Sequence, residues 1–468
     1  MQYRRISQIV LLAAVTTGQL GCGPSRSAAP GSALPPIVAV PGEAGGAAAE
    51  AGPRRIASAG GNVSVTLAAG ADAPAFFERL ARRGLRVRAY DAALGIASVA
   101  GASAGTLAGD PAVAEAWNDA PRARLRSPRL RAANVAQIAP DPLEGAQWGL
   151  SGVRAQAAWA LGATGRGARV AILDTGIDPD NPDLAPQVDF ARSASFVPGE
   201  DLVDRNGHGS HVAGIVAAAR NGLGVVGVAP EATLLIVKVL DQHAYGDDFG
   251  ILAGIRHAAD QGAHVINMSL QDRLEWGSPA AGAAARAYAR AIRYAGMRGA
   301  LVVAGSGNDA EAERTSGWTH LPAALPWVLG VSAIGPVGQT GFDAFAFYSN
   351  FGNTLVDVAA PGGGIGYDPL TGPYIADPAD LVLSTWSTHA IPHEVQGVPL
   401  GPAPWSYFAG TSMACAFASG VAALAVAARH EPPQAVASRI MRTARAQGGR
   451  SPYLGAGIVD AYQAVFSP

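Results

Sequence analysis

Four short stretches carry the side chains that could do chemistry. Ser412 follows Gly410-Thr411 at the head of an apolar, alanine-rich segment. Its hydroxyl would therefore sit at the positive end of a helix, where an oxyanion is welcome. Asp174 follows the apolar run Val170 to Leu173 in Leu-Asp-Thr-Gly-Ile-Asp, a carboxylate at a strand's end placed to orient a partner. His208 lies in Asn-Gly-His-Gly-Ser-His-Val, flanked by glycines and followed by an apolar helical stretch. Asn308 closes Val-Val-Ala-Gly-Ser-Gly-Asn, a strand running into a small-residue turn that combines close backbone approach with a directed N–H donor. Taken singly, the serine reads as a helix cap and the aspartate and asparagine as turn formers. Taken together, an acid, an imidazole, a hydroxyl and an amide, each set in a small-residue turn, are hard to attribute to chance. His208 and His211 also raise the question of a metal, but three-residue spacing without a third ligand or a zincin-type glutamate leaves His211 to pack or hydrogen-bond inside the fold.

The elements needed to position these groups are legible around them. Apolar runs suited to strands buried on both faces occur at Val170 to Leu173, Leu234 to Leu240, His264 to Met268, Ala300 to Ala304, Val328 to Val331 and Val356 to Ala359. Helical stretches, His208 to Ala219, Phe249 to Gln261 and Pro279 to Gly296, lie between them. Strands alternating with helices imply an α/β fold with a mostly parallel sheet covered on both faces, its functional groups gathered at the carboxyl ends of the strands. Ahead of it, Asn62 to Ala68, Leu85 to Tyr90 and Leu94 to Ala100 alternate as strands, and Pro74 to Arg83 has helical spacing with Phe76, Phe77, Leu80 and Ala81 on one side. Further helical and strand pieces at Ala104 to Leu107 and Ala112 to Trp117 complete a small α+β domain.

A chain of 468 residues has room for two or three domains, and 49% hydrophobic against 15% charged residues with 59 glycines indicates a compact, loop-rich globular protein. A net charge of -2 argues against general nucleic-acid binding. Arg4-Arg5, the apolar run Ile9 to Val15 and the small residues up to Leu20-Gly21-Cys22 follow the order of a bacterial secretory signal, too short to span a membrane. The divisions expected are a signal at 1–22, a flexible Ala/Gly/Pro/Ser tether at 23–58, the small domain at 59–125, a processing connector at 126–143 and the main domain at 144–468. Arg122 to Arg131 carries five arginines and no acid, and reads as an exposed connection open to proteolytic nicking. Cys22 and Cys415 stand in unlike settings, so no disulfide between them is expected.

The three motifs Asp-Thr-Gly at Asp174, His-Gly-Ser-His-Val-Ala-Gly from His208 and Gly-Thr-Ser-Met-Ala from Gly410, in that order, resemble the subtilisin family of serine peptidases over nearly all of 148–466. Asn181-Pro182-Asp183-Leu184, Asn267-Met268-Ser269-Leu270 and Gly455-Ala456-Gly457-Ile458-Val459 are lesser matches. The resemblance implies that Asp174, His208 and Ser412 form a catalytic triad, with Asn308 and the Ser412 backbone N–H as oxyanion donors. It implies substrate backbone pairing along Ser269, Leu270 and Gln271, with Gly305 at the floor of the first specificity pocket. It also implies a structural calcium held by Asp183, the Asn221 side chain and the carbonyls of Ala219, Leu223 and Val225. The segment from about Gly61 to Leu125 is similar to the family's ferredoxin-like inhibitory propeptide, which would make the chain a zymogen inhibited by its own propeptide. Leu20-Gly21-Cys22 resembles a lipoprotein processing site, so lipid anchoring at Cys22 and simple secretion both stand open. The expectation is an exported endopeptidase of broad or apolar preference acting on proteins or peptides. The sequence departs from the family at Ser210, at Gln271-Asp272 in place of two glycines, at Ala416 in place of a proline and at Phe417; a catalytically silent binding or scaffolding relative is the alternative that Ala416 and Gln271-Asp272 motivate.

Overall fold

The computed structural model describes residues 62–119, 122–123, 141–313, 315–368, 372–395, 398–446 and 448–468. The signal, Cys22, the tether and residues 126–140 of the connector lie outside them.

Seven parallel strands form the main sheet, in the order Val358–Pro361, Val328–Ile334, Leu301–Gly305, Val265–Met268, Arg169–Asp174, Thr233–Lys238 and Ala194–Ser195. The strands are apolar throughout because successive side chains enter two different cores. Val170, Ile172, Leu234 and Ile236 join the core under the helices His208–Ala217 and Thr411–Arg429. Ala171, Leu173, Leu235 and Val237 join the core under Asp248–Asp260 and Pro279–Met297. Each fully buried Leu, Ile or Val in these layers is worth about 1.5–3 kcal/mol. Thr411–Arg429 is long and apolar enough to cross a bilayer, but it is a core helix with Ala414, Ala416 and Ala418 wholly buried. Phe417 rests on Gly149, where a Cβ would collide with its ring.

The six main strands expected from apolar runs are all present within two or three residues of their expected ends. Short pieces escaped the sequence: Ala194–Ser195, the ladder of Asp272–Glu275 with Trp318–Leu321, and that of Val382–Thr385 with Trp405–Phe408. Two or four polar-containing residues carry too little periodicity to stand out.

Residues 62–119 form a separate layer. Four antiparallel strands lie in the order Arg86–Asp91, Ile96–Ala100, Asn62–Leu67 and Val113–Asn118, with helices Ala73–Arg82 and Ala104–Leu107 on one face. Asp72 caps the first helix through the Ala75 N–H at 3.0 Å, and Phe76 and Leu80 bury its inner side against Val63, Val65 and Val99. Of the four residues assigned to that side, Phe76 and Leu80 are buried, Phe77 is half-buried and Ala81 is exposed.

The opposite face of this sheet lies against the main domain. Leu94, Ile96 and Trp117 enter the core of Ile251, Leu252 and Ile255, and Trp117 Nε1 donates to Asp248 Oδ2 at 2.6 Å. Arg256 pairs with Asp91, Arg286 pairs with Glu115, and Arg290 donates to Thr66 Oγ1 at 2.6 Å. Beyond it, the backbone of Arg122–Ala123 pairs antiparallel with Tyr245–Gly246.

Candidate active site

Asp174 is the last residue of its strand, Gly305 the last of its own, and Ser269 follows Met268, so three segments deliver their groups to the carboxyl edge of the sheet. His208 begins its helix behind Gly207, whose φ of 104° suits a residue without Cβ. A side chain at Gly207 would also strike Trp386. Ser412 is the second residue of the helix that Gly410 opens.

Asp174 Oδ1 lies 2.7 Å from His208 Nδ1 and also accepts the Thr175 N–H at 2.7 Å. A carboxylate can only accept, so the imidazole proton sits on Nδ1 and Nε2 presents a lone pair. That Nε2 is buried and has no hydrogen-bond partner. Ser412 Oγ donates instead to the Ser269 carbonyl at 3.4 Å, a long bond, while Ser269 Oγ donates to the Ser412 carbonyl at 2.8 Å. The aspartate and histidine are therefore joined directly, while the Ser412 hydroxyl is turned to Ser269 and makes no hydrogen bond to His208. Phe408, four residues before Ser412, packs edge-on against the His208 ring at 5.9 Å. All three side chains are buried.

Asn308 Oδ1 accepts the Thr411 N–H at 2.9 Å, and Thr411 Oγ1 accepts the Gly307 N–H at 3.1 Å. The donor on Thr411 fixes which amide atom faces it, so Asn308 Nδ2 is turned the other way. Nδ2 is buried and unpartnered. A preorganised donor with nothing to donate to is what a developing oxyanion requires.

Asp204 was not singled out from the sequence, yet it builds the loop that carries His208. It accepts from Thr175 Oγ1 at 2.9 Å, from the backbone of Asn206 and Gly207, and from both N and Oγ of Ser210 at 2.8 and 2.7 Å. Burial pushes its carboxyl up, but the Gly207 and Ser210 donors and the Lys238 charge outweigh burial and hold it below the usual range. Ser210 thus keeps the hydroxyl role at its position. The only sequence signal for Asp204 was its place four residues before the histidine, which a polar loop offers for many residues. His211 Nε2 donates to the Ser406 carbonyl at 3.0 Å and its ring packs against Trp386 and Phe408, as expected of a structural histidine.

Of the residues expected to face substrate, Leu270 and Gly305 are buried, and Leu270 belongs to the core beneath the two outer helices. Gln271 reaches over the Gly307 turn, its Nε2 donating to Asp309 Oδ2 at 2.7 Å.

The loop expected to hold calcium wraps around Asp183. Asp183 Oδ2 accepts from the Val225 N–H at 3.0 Å and from Trp405 Nε1 at 2.9 Å, while Oδ1 is buried without a partner. Burial pushes this carboxyl up to about 6. Asn221 donates Nδ2 to the Pro182 carbonyl at 3.0 Å and accepts the Leu223 N–H on Oδ1 at 3.0 Å; Ala219 N–H donates to the Asp183 carbonyl at 2.9 Å. Asp141, in the stretch assigned to the connector, accepts from the Asn221 and Gly222 N–H groups, and Leu143 N–H donates to the Gly224 carbonyl. An orphaned carboxylate oxygen in an oxygen-rich loop fits a hard cation.

A profile of the Subtilase family matches residues 165–457. The chain is 33% identical to thermitase of Thermoactinomyces vulgaris over 327 residues, 68% of this chain and 95% of that one. It is 38% identical to the M-protease of Shouchella clausii over 270 residues, 54% of this chain; the matched span is 64% of the length of that relative. Among solved structures, the epidermin leader peptide processing serine protease of Staphylococcus aureus superposes with a TM-score of 0.69 at 21% identity, covering 88% of this chain and 99% of that chain, a likeness of fold.

Proposed function

The chain belongs to the subtilase family of serine peptidases, and from that premise we propose that it is an exported endopeptidase acting through Asp174, His208 and Ser412. The observation that carries this reading is the 2.7 Å Asp174–His208 contact, which leaves His208 Nε2 bare and buried. Ser412 Oγ attacks the peptide carbonyl as Nε2 takes its proton; the same proton then goes to the leaving amine, and water repeats the sequence on the acyl-enzyme. Asp174 holds the tautomer and stabilises the imidazolium. Asn308 Nδ2 and the Ser412 N–H receive the oxyanion.

The 62–119 unit acts in this reading as a ferredoxin-like inhibitory propeptide. Its β-α-β-β-α-β order, its docking on two helices through Trp117, Asp91 and Glu115, and the pairing of Arg122–Ala123 with the Tyr245–Gly246 edge support that role. Calcium bound by Asp183, Asn221 and the surrounding carbonyls would tie the 219–225 loop to the body. Export follows from the leader, with Cys22 as a lipid-anchor site or part of a removed signal.

Replacing Ser412 by Ala and labelling the parent with a fluorophosphonate tests the assignment. Loss of casein hydrolysis and of self-processing in the variant, with an adduct on Ser412 in the parent, is the expected result; hydrolysis that persists without Ser412 rejects it. A processed parent that hydrolyses nothing and takes no label would instead favour the silent, scaffolding relative.

A further inference from the structure

Next to the Asn308 donor lies a cluster that the reaction does not use: Gln271, Asp309, Glu311, His320 and Asn350. Asn350 organises it. Its Oδ1 accepts the N–H groups of Asp309 and Glu311 at 3.0 and 2.9 Å, so its Nδ2 must face Asp309 Oδ2 and His320 Nδ1, each at 3.2 Å. Because Nδ2 donates to His320 Nδ1, the proton of the neutral ring is on Nε2, which lies buried 3.4 Å from Glu311 Oε2 and makes no hydrogen bond. Burial holds this imidazole below its usual pKa.

Asp309, Glu311 and His320 come close enough together to suggest a metal site. The tautomer argues against one, since a neutral ring protonated on Nε2 has no lone pair there to give. Glu311 is already matched, both its oxygens taken by Arg273, whose guanidinium lies over the Trp318 ring. What remains is Asp309 and Gln271 Oε1. Asp309 is an exposed carboxylate next in sequence to the oxyanion donor, matched by no cation among the described residues and accepting only from the neutral amides of Gln271 and Asn350 on Oδ2. Gln271 Oε1 is a buried carbonyl with no donor. Gln271 is 8% exposed, and its Nε2 spans to Asp309 across Gly307, where a Cβ would strike Oε1.

The position of this cluster follows from the reaction. The peptidase reading, by resemblance to the family, puts the side chain of the residue donating the carbonyl between the segments 269–271 and 305–309. We infer that this residue is basic: an arginine or lysine enters between Gln271 and the Gly307-Asn308-Asp309 turn, displaces Gln271 Nε2 from Asp309, and donates to the Asp309 carboxylate and to Gln271 Oε1, with Glu311 behind. The inference rests on the peptidase reading and replaces the broad or apolar preference expected from the sequence. A planar guanidinium with five N–H groups can reach both the Asp309 carboxylate and Gln271 Oε1, whereas an apolar side chain would leave the buried Gln271 Oε1 unpaired. The chain carries such a substrate itself: Arg122, Arg124, Arg126, Arg129 and Arg131, with no acid among them, follow directly on the 62–119 unit, and the backbone of Arg122–Ala123 is paired along the Tyr245–Gly246 edge. The peptide bond on the carboxyl side of one of these arginines is the bond broken in self-processing, water giving its hydroxyl to the arginine carbonyl and its proton to the new amine.

The test uses the full chain after it has processed itself. Internally quenched peptides that differ only before the scissile bond, with Arg, Lys, Leu or Phe, are compared by kcat/KM, and the new N-terminus is read by mass spectrometry. Arg and Lys are expected to exceed Leu and Phe by about 10- to 100-fold, the range of one hydrogen bond to a charged group, and the new N-terminus to follow an arginine of 122–131. Asp309→Asn should lower the Arg to Leu ratio by about tenfold or more. A preference for Leu or Phe, or a ratio that Asp309→Asn leaves unchanged in protein still cleaving the Leu peptide, overturns the inference and leaves the peptidase reading intact. Absence of any turnover together with absence of fluorophosphonate labelling overturns both.

Discussion

Asn308 accepts the backbone N–H of Thr411, the residue before the proposed nucleophile, on its amide oxygen at 2.9 Å, and so turns its amide nitrogen the other way, buried and unpartnered. One hydrogen bond thus sets both the start of the Ser412 helix and the direction of the proposed oxyanion donor. Asn308→Leu should lower kcat by about 10²- to 10³-fold with little change in KM, a magnitude established on a subtilisin. Steady-state kinetics on a peptide anilide decides it; a loss confined to KM would assign Asn308 to ground-state binding.

Asp204 receives five hydrogen bonds inside the protein, so its loss leaves several buried donors without an acceptor. Asp204→Ala should destabilise by about 3 kcal/mol or more and disorder the His208 loop. The carboxyl is more acidic folded than unfolded. Its stabilisation is therefore complete above the unfolded value of about 4 and drains away as pH falls through the depressed folded value. Urea melts across pH 2 to 7 should show the parent losing stability toward the acid end, with Asp204→Ala showing a shallower loss; parallel curves would contradict the assignment.

Calcium at Asp183 predicts a chelator effect. Free calcium at about 100 times Kd stabilises by about 3 kcal/mol, so EDTA should lower Tm in the parent and restoring calcium should reverse the change. Asp183→Asn should melt at the same temperature with or without EDTA. A parent indifferent to chelation removes the site.

Cys415 lies three residues beyond Ser412, on the same helix, with its Sγ donating to Asn267 Oδ1 at 3.2 Å. Burial pushes this thiol up to about 12, far above the roughly 8.5 of an open cysteine. At pH 8 it should resist iodoacetamide in the native protein and react at once in guanidinium, which peptide mass mapping would reveal. Rapid native labelling would mean that the helix opens.

Trp117 tests the docking of the small unit. Trp117→Phe keeps a ring in the pocket of Leu94 and Ile251 but removes the donor to Asp248. After processing, the severed unit should dissociate about tenfold more readily, the cost of losing one hydrogen bond to a charged group, seen as earlier activity and weaker co-purification. Unchanged co-purification would place the affinity elsewhere in the interface.

Periodicity and motif spacing made most of the main domain legible. Val170 to Leu173 announces a strand because it feeds two cores at once, and Gly207 and Gly410 mark backbone turns that few other residues could make. Asn350 was invisible for a physical reason: it accepts from the backbone of Asp309 and Glu311, in a loop far away in sequence, and no local pattern encodes such partners. Asp204 accepts from the backbone of its own loop at Asn206, Gly207 and Ser210, a task that a polar loop offers to many residues. Gln271 was recognised as a departure, but its reach to Asp309 depends on a turn 38 residues away. Asp141 went unremarked because the 219–225 loop it faces gives no sign of a second acid.

The pairing of Arg122–Ala123 with the Tyr245–Gly246 edge has a consequence for timing. While the polypeptide is continuous, this contact is intramolecular and its effective concentration is on the order of millimolar. Severing the chain between 124 and 140 turns the same contact into an encounter between two molecules, whose occupancy falls on dilution. In the propeptide reading proposed above, dilution after severing would by itself release the small unit and open the cleft, with no further signal required.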